Sequence, residues 1–484
     1  MKSGRNRRMS RVLDIGNWEL VYLALWKPKI TNSQFLIPNF KTMTQLKQNL
    51  TLYGLTMMAV GSCIGSGIFV TPAQIAQAVP NATLVLAVWA LGGVIALTGA
   101  LTFSELGGMF PKSGGVYVYL KEAYGDMTGF LYGWVILLVI NTGALAGLCV
   151  AFAEYMKIFV PGMSDGMKTG IAAVTMLALT GINILGVNVS QGLSNLFTGL
   201  KLLAIGGIIV AGFLFFDPAK VQLDFSLQKN VPGNLTAAML TGLIGVLFSV
   251  GGRHHASYVA GEAKNAHRTV PRAMFLGVLI VMTMYLLVNL AYMLLLPLDA
   301  IAQTPRVAGE AVSTLAPWGG KAVAVAIALS IFGTRSIYTM SAPRIYFAMA
   351  ADGIFFKQLA FVHPRWRTPV TAMLVQVVWA MAVLLFFRGL FDEIITFVTF
   401  MDIAFMGLAG AAVFVFRKKR KTAERPIVAW GYPIVPLIFV VISAAFALNT
   451  LLEKPWQALP GLGLLAIGGV VFFVLKKNRP ERGA

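Results

Sequence analysis

The chain has 484 residues, of which 57% are hydrophobic and only 12% charged, with a mean hydropathy of +0.75. That composition excludes a soluble globular protein and places the chain in lipid. Its formal net charge of +20 admits a polyanionic partner only until the distribution of the cations is known.

The first 40 residues are basic and mixed, without the compact apolar core and small-residue cleavage site of a secretory signal. Residues 1–50 therefore read as a basic cytoplasmic tail, and Met43 is an alternative start that would leave 1–42 outside the physiological protein. A spanning helix needs roughly 20 mostly apolar residues. Twelve such segments follow, at about 53–71, 83–109, 127–157, 169–187, 193–216, 236–258, 273–296, 320–348, 370–388, 391–416, 432–452 and 457–475. The fold class predicted is all-α: one polytopic membrane domain over 51–477, ending in a short cytoplasmic tail at 478–484. With both termini inside, 27 of the 39 Lys and Arg fall on the cytoplasmic side, six of them in the run 417–425, and eight fall outside. The positive-inside rule predicts that asymmetry, so the charge reports orientation and argues against a nucleic-acid partner. Cys63 and Cys149 both lie within spans, with no disulfide framework and no metal-ligand spacing.

Two spans are interrupted alike. The first carries GSCIGSG (61–67), and the sixth carries LFSVGG (247–252). One plus five gives six, which predicts two five-helix halves related by an inverted repeat, 51–217 and 235–417, with two extra helices in 430–476. Broken helices at corresponding positions of two halves point to a transport site. The alternative for any single glycine is close helix packing. Where the helix unwinds at Gly65–Gly67, free amides and the positive end of the next half-helix suit a carboxylate. Carbonyls released near Cys63 and Ile64, and near Phe248 and Ser249, suit an ammonium. Such a site holds an α-amino acid by its two charged ends through backbone alone.

The order and spacing of GSGIF (65–69), ELGGMFPKSGGVYVYLKEAYG (105–125), AGEAKNAHRTVPRAM (260–274), PRIYFAMAADG (343–353) and HPRWRTP (363–369) resemble the amino acid–polyamine–organocation transporters. The likeness runs from about Leu52 to Lys477, and is greatest to their L-type amino acid transporter-like branch and its bacterial exchangers. It implies the inverted-repeat fold and alternating access. It also implies that Gly65, Ser66 and Gly67 hold the substrate carboxylate, that Ile64 offers a carbonyl to its amine, and that Phe248 closes over it. Ser249 and Gly251 are implied as further backbone contacts, and Lys201 as occupant of the place a sodium ion takes in sodium-coupled relatives. Independently of likeness, a lysine inside a span is expensive and marks function; the other reading of Lys201 is snorkelling to the interface. Glu105 and Glu262, at span ends within these motifs, are expected to close an inner gate with cations such as Arg344 or Arg272.

This chain departs from the family's pattern at Arg253, where an aromatic is usual, and at Arg335, where an apolar residue is usual. Each is open to three readings: recognition of a substrate side-chain carboxylate, pairing with Asp402 or Glu154, or lining a water-filled vestibule. Asn141, Arg253, Ser336 and Asp402 are the candidates for side-chain specificity. Adjacent His254 and His255 point about 100° apart on a helix and lack a third ligand, which argues against a metal and leaves proton sensing or packing. No catalytic triad, phosphate loop or redox pair occurs, so no enzyme and no cofactor are expected. The function expected is a sodium-independent amino acid permease or exchanger of a bacterial-type inner membrane, monomer or homodimer. The rivals are a proton-coupled antiporter for amino acids or polyamines, a non-transporting sensor, and a channel.

Overall fold

The computed structural model describes residues 46–219, 221, 224–227, 231–304, 306–386, 391–453 and 455–477. The expected tails, up to residue 45 and from 478, lie outside the described residues. Every regular element among the described residues is helical, apart from one isolated parallel bridge between Leu50 and Ala263.

Helix α1 (Leu52–Cys63) begins where the Thr51 hydroxyl accepts the Gly54 amide, satisfying a donor that a helix start leaves free. It breaks over Ile64–Ser66 and resumes, bent by 45°, as α2 (Gly67–Ala78). The Asn81 side chain then caps α3 (Ala82–Met109). Short α4 (Val116–Tyr124) leads to α5 (Asp126–Val135), a π-helical turn at Ile136–Ile140, and α6 (Asn141–Met156). Helices α7 (Asp165–Ile184) and α8 (Val187–Leu214) follow.

The second half opens with α9 (Leu235–Ser249), capped by Asn234. Its chain leaves helical geometry at Val250–His254, and forms only the four-residue α10 (His255–Tyr258) and a 3₁₀ turn at Ala260–Glu262. Next come α11 (Ala266–Leu295), short α12 (Leu298–Gln303) and α13 (Val307–Ser313), α14 (Gly319–Ser341) and its continuation α15 (Pro343–Ala351). The chain ends with α16 (Val370–Phe386), α17 (Phe391–Lys419), α18 (Ile434–Glu453) and α19 (Pro455–Lys477).

Nine of the described helices are long and apolar enough to cross a membrane, α1 with α2 makes a tenth if counted as one broken span, and α9 and α16 are shorter apolar helices. This is a multi-pass membrane protein. The expected span bounds shift where polar residues are structural. The first span runs on to Ala78 instead of stopping at 71, because Gln74 and Gln77 depress the hydropathy of residues that are nonetheless helical. The fifth starts at Val187, not 193, with Asn188, Ser190 and Gln191 in its first turns. The sixth is helical only to Ser249, not to 258, because the backbone turns at Gly252.

Helix α11 packs along α3, α1 and α8, and α14 along α8 and α6. Trp89 of α3 meets Tyr285 of α11 edge-on at 5.6 Å, fixing α3 and α11 behind the broken helices. One face of the bundle gathers residues 49–50, Glu262, Lys121, Asp352, Arg417 and Arg420 through cross-chain contacts. The opposite face carries the Gln77 contact to Ala302 and the Glu154 pairs with Lys157 and Lys168.

Candidate functional site

The two breaks lie against each other. The Ser62 hydroxyl donates to the Gly252 carbonyl at 2.9 Å, the Cys63 thiol lies 3.5 Å from the Val250 carbonyl, and the hydroxyls of Thr71 and Ser249 are 2.9 Å apart. From α11, the Tyr285 hydroxyl reaches both Cys63 O (3.3 Å) and Ser249 O (3.2 Å), so one phenol serves carbonyls freed by both interruptions. Glycine is required at two points of this contact. Gly252 has φ +92, and a Cβ there would stand 2.6 Å from the Ser62 carbonyl oxygen; a Cβ on Gly67 would stand 2.9 Å from Ser249 Cα.

Beneath the first break lies Lys201 of α8, which is buried. Its Nζ donates to Gly61 O and Ile64 O, both at 2.8 Å, and to the Thr334 hydroxyl of α14 at 2.6 Å. Three acceptors for three ammonium protons satisfy the group completely. The alternative of snorkelling to the interface does not describe this side chain. The same carbonyls accept from Thr334, and Ile64 O also from Ser330.

In front of the first break is a cavity of about 210 Å³. Gly65, Ser66, Gly67, Phe248, Ser249, Gly251, Arg253 and Asp402, all singled out from sequence, border it. The first turn of α2 carries no side-chain cap, so its amides stay available on the cavity side. Phe248 is 40% exposed at the rim. Asn141 of α6 also lines the wall, held by its amide donating to Gln376.

Several expectations are corrected. Ile64 is not on the cavity wall, and its carbonyl is taken by Lys201, Thr334 and Ser330 instead of standing free for a substrate amine. Thr334 and Tyr338 of α14 border the cavity; being four apart they share a helix face, which turns Arg335 and Ser336 away. Ser336 accepts from Asn183 of α7, and Arg335 donates to Thr175 of α7 and lies 5.9 Å from the Phe152 ring. Arg335 pairs with neither Asp402 nor Glu154, the latter held by Lys157 and Lys168. Replacing Ser336 by Ala is accordingly expected to leave the substrate profile unchanged while lowering stability by about 1 kcal/mol through the lost hydrogen bond. Competition uptake and thermal unfolding of the same sample check this.

His255 Nδ1 lies 2.6 Å from the Ser341 hydroxyl and its ring 4.0 Å from that of Tyr338, while His254 stacks on it at 5.0 Å. No group of three His, Cys, Asp or Glu side chains suited to a metal occurs among the described residues.

On the face bearing Leu50, the two expected gate acids are ion-paired, one with a partner not foreseen. Glu262 takes Arg344 through both carboxylate oxygens, with both side chains fully buried. Glu105 pairs with neither Arg344 nor Arg272. It takes Arg417 at 2.7 and 2.9 Å and Arg425 at 3.3 Å, and it also accepts the Ala429 amide. Backbone bonds between Leu50 and residues 262 and 264 lie beside them. Sequence reasoning also missed Tyr285, Thr334 and Phe439. A lone hydroxyl or aromatic in an apolar run has no local signature; only Thr334, next to the flagged Arg335, had a neighbouring signal.

A polar cavity between two helix breaks, sealed on one face by buried ion pairs and set among membrane-length helices, defines a carrier for a small solute, not an enzyme. Its sequence matches the amino acid permease family over residues 50–473, and the chain belongs to that family. It is 31% identical over 442 residues to the serine/threonine exchanger SteT of Bacillus subtilis (strain 168), covering 90% of this chain and 98% of that protein. The human b(0,+)-type amino acid transporter 1 is 30% identical over 446 residues (89% and 88% covered). The human large neutral amino acids transporter small subunit 2 is 30% identical over 449 residues (89% and 80% covered).

Proposed function

We propose that this protein is a sodium-independent amino acid exchanger of a cell inner membrane. In this reading it has twelve spans in a five-plus-five inverted repeat with two extra helices, and both termini are cytoplasmic. The observation that carries the reading is the pairing of an uncapped helix start at Gly65–Gly67 with a fully satisfied ammonium, Lys201, behind the same break. The substrate carboxylate docks on the amides of Ser66 and Gly67, where the helix dipole favours negative charge. Its ammonium meets carbonyls of the second break at Phe248 and Gly251. Lys201 supplies the fixed positive charge that would otherwise require a bound cation, which removes the need for sodium. Phe248 closes the rim, and the breaks tilt to expose the site on one side at a time, with the Glu262–Arg344 and Glu105–Arg417 pairs opening when the other side closes. Exchange by SteT and transport by the mammalian relatives, as their names state, support amino acids as the cargo.

The test is counterflow of labelled amino acids in proteoliposomes containing the full chain. Equal rates in sodium and in choline are expected, with a loss of at least about 100-fold, near 2.7 kcal/mol, in Gly67→Val. A rate that collapses without sodium, or a Gly67→Val protein that transports normally, would sink this reading.

A further inference from the structure

The cavity holds more polar chemistry than the two charged ends of an amino acid use. Arg253, in the second break, lies 5.5 Å over the Phe439 ring; its Nη1 makes only a long 3.4 Å contact to Val250 O, and its Nε is buried with no hydrogen-bond partner. Across the same cavity, Asp402 of α17 is 21% exposed; its Oδ1 has no hydrogen-bond partner, and the nearest cation is His254 Nε2 at 3.9 Å. Asn141 Oδ1 is a third unpartnered atom on the same wall. Arg253 and Asp402 border one cavity and make no ion pair with each other.

We infer that Arg253 and Asp402 are the specificity-determining pair, and that they select amino acids with an uncharged hydrogen-bonding side chain, carboxamide or hydroxyl. The inference rests on the reading of this cavity as the amino acid site. Such a side chain accepts from the guanidinium and donates to the carboxylate or to Asn141 Oδ1 at once. A side-chain carboxylate would gain Arg253 but be repelled by Asp402; a side-chain ammonium would gain Asp402 but be repelled by Arg253. In a low-dielectric site both penalties are large. An aliphatic side chain would leave the polar groups desolvated and unpaired, the circumstance in which a hydrogen-bonding site discriminates most strongly. A volume of about 210 Å³ suits a side chain of modest size.

The experiment is counterflow of labelled glutamine, asparagine, serine and threonine against leucine, glutamate and lysine, in proteoliposomes of the parent, Arg253→Met, Asp402→Leu and Asp402→Asn. The readout is the ratio of polar to leucine rates within each variant, which does not depend on how much protein folds. In the parent at least one of the four polar substrates is expected to exceed leucine, glutamate and lysine by about tenfold or more. Arg253→Met and Asp402→Leu should each reduce the ratio about tenfold, equivalent to about 1.4 kcal/mol, and Asp402→Asn, which keeps an acceptor, should restore much of it. A parent that prefers glutamate, lysine or leucine, or a ratio that neither Arg253→Met nor Asp402→Leu changes, overturns the inference and leaves the permease reading intact. A monodisperse parent that moves no amino acid at all overturns both.

Discussion

Replacing Lys201 by Met is expected to abolish transport, by about 100-fold or more, while leaving the protein folded. The two outcomes separate because of how the acceptors are shared. Gly61 O keeps Thr334, and Ile64 O keeps Thr334 and Ser330, once the ammonium is gone. No carbonyl is orphaned, and the methionine fills the aliphatic volume while removing a buried charge that is costly to desolvate. Stability should therefore change by less than about 2 kcal/mol, within the range of tolerated core substitutions. What is lost is the positive charge behind the carboxylate site and the tie from α8 to the end of α1. Lys201→Arg is expected not to rescue, because a planar fork cannot reproduce a trigonal set of three short bonds. Counterflow and thermal unfolding on one preparation give both numbers. A folded Lys201→Met protein that transports at the parental rate would remove Lys201 from the mechanism.

The second large effect falls at the sealed face. Arg344→Met leaves the Glu262 carboxylate fully buried without its bidentate partner, and breaking a buried pair from one side typically costs about 3–5 kcal/mol. Arg344 also donates to Met340 O, within its own helix, so the loss includes a tie at the α14–α15 junction. A marked fall in unfolding temperature is expected, and Glu262→Gln added to Arg344→Met should recover a large part of it by removing the stranded charge. Because Glu262 closes the turn that follows the second break, the same variant should also transport poorly even at low temperature, where it remains folded. If Arg344→Met unfolds at the parental temperature, the pair is not what holds this face together.

The breaks were legible in the sequence because glycine clusters inside apolar runs have few structural uses, and the structure places GSCIGSG and SVGG in contact. Lys201 was legible for the converse reason, an expensive residue where lipid excludes it. What failed was direction and distance. Arg335 and Ser336 were taken toward the site, yet Thr334 and Tyr338 hold that face, one helical step away; a single apolar helix buried on several sides gives no hydrophobic stripe to set its rotation. The Glu105 partner was beyond reach because Arg417 lies 312 positions along the chain. Ile64 shows a subtler gap: a backbone carbonyl was foreseen as free and an ammonium as present, but only three dimensions reveal that each already satisfies the other.

The π-helical turn at Ile136–Ile140 has a consequence for the whole third span. A π turn accommodates one residue more than an α turn, so the helix changes phase there. Beyond it, Ile140, Ala144, Gly147, Leu148 and Ala151 keep α-helical spacing along the cavity, while before it Phe130, Tyr132 and Val135 point into the aromatic core. One uninterrupted α-helix could not present both sets in this register. A deletion of a single residue within Ile136–Ile140 would therefore rotate one half of the span against the other by about 100°, moving Asn141 off the cavity wall without changing any residue that lines it.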